Sequence, residues 1–110
     1  MSRSDKQRLA DIVDAATELS AITGRGRDAF LADAILRRAA ERLLEIIGEA
    51  ANTLSEETTG QFPEIAWRDI TRLRIVLAHH YQRVDPEQVW AIASTDVVAL
   101  AERIVRGPED

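Results

Sequence analysis

Within the octet Arg74-Ile-Val-Leu-Ala-His79-His80-Tyr81 a permanent cation, a titratable imidazole and a phenol fall inside two helical turns. Imidazole titrates near neutrality and can serve as base or acid, and a guanidinium can hold two oxygens of one phosphate. The chemistry that suits this set is cleavage of RNA without a metal. The 2′-hydroxyl attacks its own phosphate, so a site needs a base for that proton, an acid for the departing 5′-oxygen and a cation for the charge that builds on phosphorus. DNA lacks the attacking group.

Helical bookkeeping at 100° per residue qualifies this reading. Arg74 and Tyr81 fall within about 20° of each other and share a stripe with Leu77, whereas His79 lies about 140° round from Arg74. Arg74 and His79 therefore converge through the reach of the arginine, a distortion near the helix end, or a second copy of the chain. Seven residues before His79, on its own stripe, is Arg72.

The bland reading of each residue stands beside the chemical one. A histidine near a helix end is ordinarily hydrogen-bonded or partly exposed, and for His80 that reading is preferred. His79 and His80 point about 100° apart, and Arg83, not a carboxylate, stands four residues after His79, so no metal site is expected. Glu41, Glu45 and Glu49 form a row, but Arg38 and Arg42 interleave with it, which reads as a solvated salt-bridged face. Trp67 and Trp90 read as helix-packing residues.

The elements that must carry these groups are helices throughout. Ser4 and Gln7 form a capping-box signature, and apolar residues then recur at three- and four-residue spacing from Leu9 to Ile22, until Gly24 and Gly26 break the helix. A second helix is expected from near Asp28 to Leu54, with Leu36, Ala40, Leu43, Ile47, Ala50 and Leu54 on one stripe. Gly48 in its middle costs about 1 kcal/mol against alanine, so it is expected to mark a close helix crossing beside the small Ala50 and Ala51. The segment 55–66 holds Gly60 and Pro63 and reads as a connection with room for one short helical turn.

A third helix begins around Trp67 and carries Ile70, Leu73 and Leu77, with Ile75 and Val76 making its other sides apolar. Such a helix is sandwiched, in part by a second copy of the chain in so small a domain. The last helix starts at Asp85 as N-cap with Pro86 next, and ends at Gly107 and Pro108. The fold class is all-α, an up-and-down four-helix bundle, in one domain over residues 1–110.

Composition narrows the function classes. The chain has 110 residues and no cysteine, which removes disulfides and thiolate nucleophiles or ligands. A net charge of −5 argues against coating nucleic acid through the whole surface field. Locally the sign reverses: between Trp67 and Arg83 four arginines (68, 72, 74 and 83) face the single Asp69. Arg72, His80 and Arg83 are accordingly the expected auxiliary RNA contacts. The first residues carry no apolar leader core and no apolar run approaches the roughly 18 residues of a membrane span, so a cytoplasmic protein is expected.

The Arg-x4-His-x-Tyr pattern of Arg74, His79 and Tyr81 resembles the signature of the HepT-like toxins, a branch of the HEPN ribonuclease superfamily. Three further segments agree in order: Leu44-Glu-Ile-Ile-Gly-Glu-Ala-Ala51, Pro63-Glu-Ile-Ala-Trp67, and Val84-Asp85 through Val89-Trp90. The resemblance implies a HEPN-like bundle, a homodimer whose motif helices meet at a cleft, and a toxic endoribonuclease acting on tRNA or mRNA without a cofactor. It implies Arg74 and His79 as catalytic residues. It further implies a small MntA-type nucleotidyltransferase antitoxin that adds AMP to Tyr81, placing bulk and negative charge beside the arginine.

One departure bears on activity. Where the family usually has a polar residue after the motif arginine, this chain has Ile75, which cannot orient a phosphate or a water. A second reading stays open: a HEPN module of weak or no activity that binds RNA, a nucleotide or a partner protein through the same cleft.

Overall fold

The computed structural model describes residues 3–79 and 84–108, with the backbone alone at His79. Four long helices build the bundle, with two short ones in the connections.

α1 (Asp5–Thr23) starts at Ser4, whose Oγ accepts from Gln7 N at 3.1 Å while the Gln7 side chain accepts from Ser4 N at 2.9 Å, the reciprocal cap that the sequence signals. It ends at Gly24, and Gly26 at φ 98° turns the chain into the next helix.

The second helix is not continuous from Asp28. It is split into α2 (Arg27–Ala32) and α3 (Ala34–Asn52) by Asp33, which is extended at φ −114°, ψ 108°. Asp33 accepts from Ile35 N at 2.8 Å and Leu36 N at 3.4 Å, so it caps a new helix instead of extending the old one. The break lets Phe30 turn inward, fully buried, with its ring 5.5 Å from that of Trp90.

The 55–66 connection does contain a short helix, α4 (Glu56–Gly60), capped by Ser55. The motif helix α5 (Trp67–His79) begins where the sequence places it.

α6 (Pro86–Ala91) is capped by Asp85, whose carboxylate accepts from Glu87 N at 3.0 Å. Beyond it the helix widens into a π turn (Ile92–Asp96) before α7 (Val97–Arg106), which Gly107 ends at φ 82°. The α6–π–α7 unit is thus the expected last helix with one irregular turn inside it.

The core is mostly aliphatic: Ile12, Leu19, Leu44, Ile47 and Ala93 have no exposed surface, and Phe30 joins them. α3 is the central element, packed most extensively against α5 and α1. No described helix is long and apolar enough to cross a membrane.

Candidate active site on the motif helix

The start of α5 is held by contacts from three other parts of the chain. Phe62 is buried and meets Trp67 edge to face at 6.3 Å, and Trp67 Nε1 donates to Thr59 O at 3.2 Å. Arg103 of α7, itself buried, lies 4.9 Å over the Phe62 ring, donates to Gly107 O at 2.6 Å and pairs with Glu64. A planar guanidinium can stack and bond in its own plane at once, which suits it to this junction. The tie between α7 and the loop before α5 has no local sequence signature, since Arg103 reads there as any basic residue near a helix end.

Two turns further on, α5 crosses α3 at Gly48. A Cβ built on Gly48 would stand 2.7 Å from Arg74 N, 3.0 Å from Ile70 O and 3.2 Å from Arg74 Cβ. The first two are backbone atoms of α5 and the third is a Cβ fixed by that backbone, so no side-chain rotation relieves them. The close crossing expected from the sequence is present, and its partner is the motif arginine.

Arg74 consequently emerges on the side of α5 that faces α3, half-buried beside the buried Leu77. Its Nε is buried and has no hydrogen-bond partner among the described residues. A buried N–H without an acceptor costs about 1–3 kcal/mol, and a phosphate oxygen is an acceptor that a guanidinium fork takes well.

The other predicted residues distribute as follows. Arg72 is exposed on a different face of α5 from Arg74, two residues and about 200° away. His79 is the last residue of α5, and its side chain lies outside the described residues, as do His80, Tyr81 and Arg83. α5 is regular up to His79, so its backbone register keeps positions 74 and 79 on different faces of the helix. Next to Arg74, Ile75 and Val76 are 43% and 41% exposed, so the apolar sides of α5 are only partly covered by the described part of this chain.

The structural readings of Trp90, Trp67 and the salt-bridged row around Arg42 hold. Trp90 packs on Phe30 and Trp67 on Phe62. Arg42 bridges Glu45 at 3.1 Å and Glu49 at 3.9 Å, and partial burial pushes the Glu41 carboxyl up against the opposing pull of Arg38 and Arg37. Among the described residues no three His, Asp or Glu side chains are grouped to hold a metal.

Two cavities flank α5 on its side away from Arg74. A groove of about 540 Å³ is floored by Ile47, Ile70 and Leu100 and reaches Arg103 and Arg106. A smaller slot of about 190 Å³ lies between α5 and α6, with Asp69, Arg72 and Gln88 among its lining residues. They adjoin at Asp69, Leu73 and Ile92. Asp69 and Gln88 were not singled out by the sequence, because neither carries a motif and the slot forms only when α6 is laid beside α5.

The described residues thus form an all-α bundle whose basic motif helix is laid on a glycine of its central helix. The family model described as ribonuclease HepT-like matches residues 12–106, and the chain belongs to that family. Among its relatives, a probable ribonuclease HepT of Thermococcus cleftensis is 36% identical over 101 residues, covering 91% of this chain and 92% of the relative. A candidate RNase of Methanocaldococcus jannaschii is 31% identical over 106 residues, covering 94% of this chain and 97% of the relative. A second candidate RNase of that organism is 33% identical over 91 residues, covering 83% of this chain and 70% of the relative. No solved structure matches the chain.

Proposed function

We propose that the protein is a metal-independent endoribonuclease, the toxin of a toxin–antitoxin pair, acting on tRNA or mRNA. The observation that carries this reading is Arg74, a half-buried guanidinium whose Nε has no partner among the described residues, on the motif helix of a HepT-like chain. The names of the relatives, all ribonucleases or candidate ribonucleases, support the same class.

In the reaction His79 removes the proton from the 2′-hydroxyl, O2′ bonds to phosphorus, and the P–O5′ bond breaks. O5′ takes a proton from an imidazolium, leaving a 2′,3′-cyclic phosphate and a 5′-hydroxyl. Arg74 holds the non-bridging oxygens as their charge grows. Since a straight α5 separates Arg74 from His79, the complete set is assembled in a homodimer, where the motif helix of a second copy covers Ile75 and brings the complementary group. Arg72, His80 and Arg83 contact the flanking strand.

Silencing follows from the same charge. A nucleotidyltransferase of the MntA type adds AMP to Tyr81, seven residues after Arg74 in the sequence, and the added phosphate competes with RNA for the guanidinium. The expected mass increment of AMP falls on a Tyr81 peptide and disappears in Tyr81→Phe.

The test is the chemistry of the ends. Partner-free protein in EDTA should convert tRNA or total RNA into fragments ending in 2′,3′-cyclic phosphate and leave DNA of the same sequence intact. The exposed Ile75 favours the second reading, a binding module. No cleavage by folded protein unmodified at Tyr81 would establish that reading instead.

A further inference from the structure

We propose that the slot between α5 and α6 receives one guanine base of the RNA strand, with Asp69 and Gln88 reading its edge. The proposal rests on the reading above and names the sequence preference it would have.

The slot is small. At about 190 Å³ it is below the roughly 300–1,000 Å³ that encloses a drug-sized ligand, and so suits a single ring system. Its walls are aliphatic: Leu73, Val76 and Leu77 from α5, Val89 from α6 and Leu44 from α3. A flat heterocycle slid between two helices gains by leaving water there, and an apolar wall accepts its faces without discrimination.

Discrimination comes from the polar lining. Asp69 and Arg72 stand on α5 and Gln88 on α6, all three exposed. Guanine presents N1–H and N2–H side by side with O6 adjacent. A carboxylate accepts both N–H groups, and the Gln88 amide can donate to O6 from the opposite wall. Adenine has no N1–H, and cytosine and uracil each present a single donor site on that edge, so none satisfies both groups. Recognition of this kind requires a base splayed from a single strand, which is where RNA sequence is ordinarily read.

Position ties the slot to cleavage. Asp69, Arg72 and Val76 form one stripe of α5, and the helical register continues that stripe to position 79 at the end of the helix. A base held at Asp69 therefore runs its backbone past Arg72 toward the motif end of α5, with the Arg72 guanidinium placed for the intervening phosphate.

Fluorescence anisotropy with labelled 2′-O-methyl hexaribonucleotides tests this without cleavage, at one fixed salt concentration. The probes are hexauridylate and the same strand with a single G, A or C. The single-G strand should bind about tenfold more tightly than the others, and the preference should fall below about twofold in Asp69→Asn and Gln88→Ala. Equal binding of all four strands, or a G preference unchanged in both variants, overturns the proposal. GMP is added as competitor: weaker binding than the single-G strand is expected, and GMP binding more tightly than the strand would assign the slot to a free nucleotide and overturn its role in RNA. Ribonuclease activity is scored separately on unmodified RNA. Cleavage without G preference sinks the slot alone, and G-specific binding without cleavage sinks the nuclease reading alone.

Discussion

Gly48 of α3 and Arg74 of α5 touch backbone to backbone: a methyl group on Gly48 would stand 2.7 Å from the Arg74 amide nitrogen. The glycine is thus what lets the motif helix lie on the central helix at the residue that carries the permanent charge.

Gly48→Ala sets two effects of opposite sign against each other. Helix propensity favours alanine by about 1 kcal/mol, while the clash with α5 backbone costs about 1–3 kcal/mol and moves Arg74. The clash should win, lowering the urea midpoint and cutting RNA cleavage together. A more stable, fully active Gly48→Ala protein would show that the crossing has slack.

Arg74→Met should separate stability from activity. The thioether keeps the packing of the side-chain stem and removes a buried N–H that lacks a partner among the described residues, so stability should match or exceed that of the parent by up to about 1 kcal/mol. Cleavage should fall about 100-fold or more. Urea denaturation beside a tRNA cleavage assay measures both, and a loss of stability above about 1 kcal/mol would mean the guanidinium serves the fold.

Arg103→Lys tests the anchor of α5. A lysine cannot stack on Phe62 while bonding both Glu64 and Gly107 O, so the loop before Trp67 should loosen, at a cost of about 1–2 kcal/mol. Hydrogen exchange in the first turn of α5 should speed up more than in α1, and uniform exchange would contradict the assignment.

Asp5 supplies a pH signature of the α1–α4 junction. Hydrogen bonds from Ser55 Oγ and Thr58 Oγ1, each 2.6 Å, and from Ser55 N hold its carboxyl at about 2, below the ordinary 3.8. A carboxyl depressed on folding contributes stability that is complete above its unfolded value and is lost as pH falls through its folded one. Stability should therefore decline from about pH 4 to about pH 2 by an increment that Asp5→Asn lacks. Parallel curves for the two proteins would refute it.

Local rules made much of the fold legible. The Ser4–Gln7 box, Asp85–Pro86 and the start at Trp67 are signals that bind within four residues, and Gly48 was legible as a crossing because a glycine in a helical stripe has few other uses. What escaped depends on distant partners. Asp33 reads as a polar residue inside an amphipathic run, and it caps α3 where Phe30 turns in to meet Trp90. The π turn at Ile92–Asp96 inserts no unusual residue. At the site, residue types and helical angles gave the chemistry and separated Arg74 from His79, but the burial of the Arg74 Nε and the slot at Asp69 appear only once α3 and α6 flank α5.

The most direct measurement is cleavage of purified tRNA in EDTA by three proteins made without a partner: the parent, Arg74→Ala and His79→Ala. Parent cleavage with a loss of about 100-fold or more in each variant is the predicted result. Equal activity in all three, or none in a folded parent unmodified at Tyr81, would contradict a nuclease centred on α5.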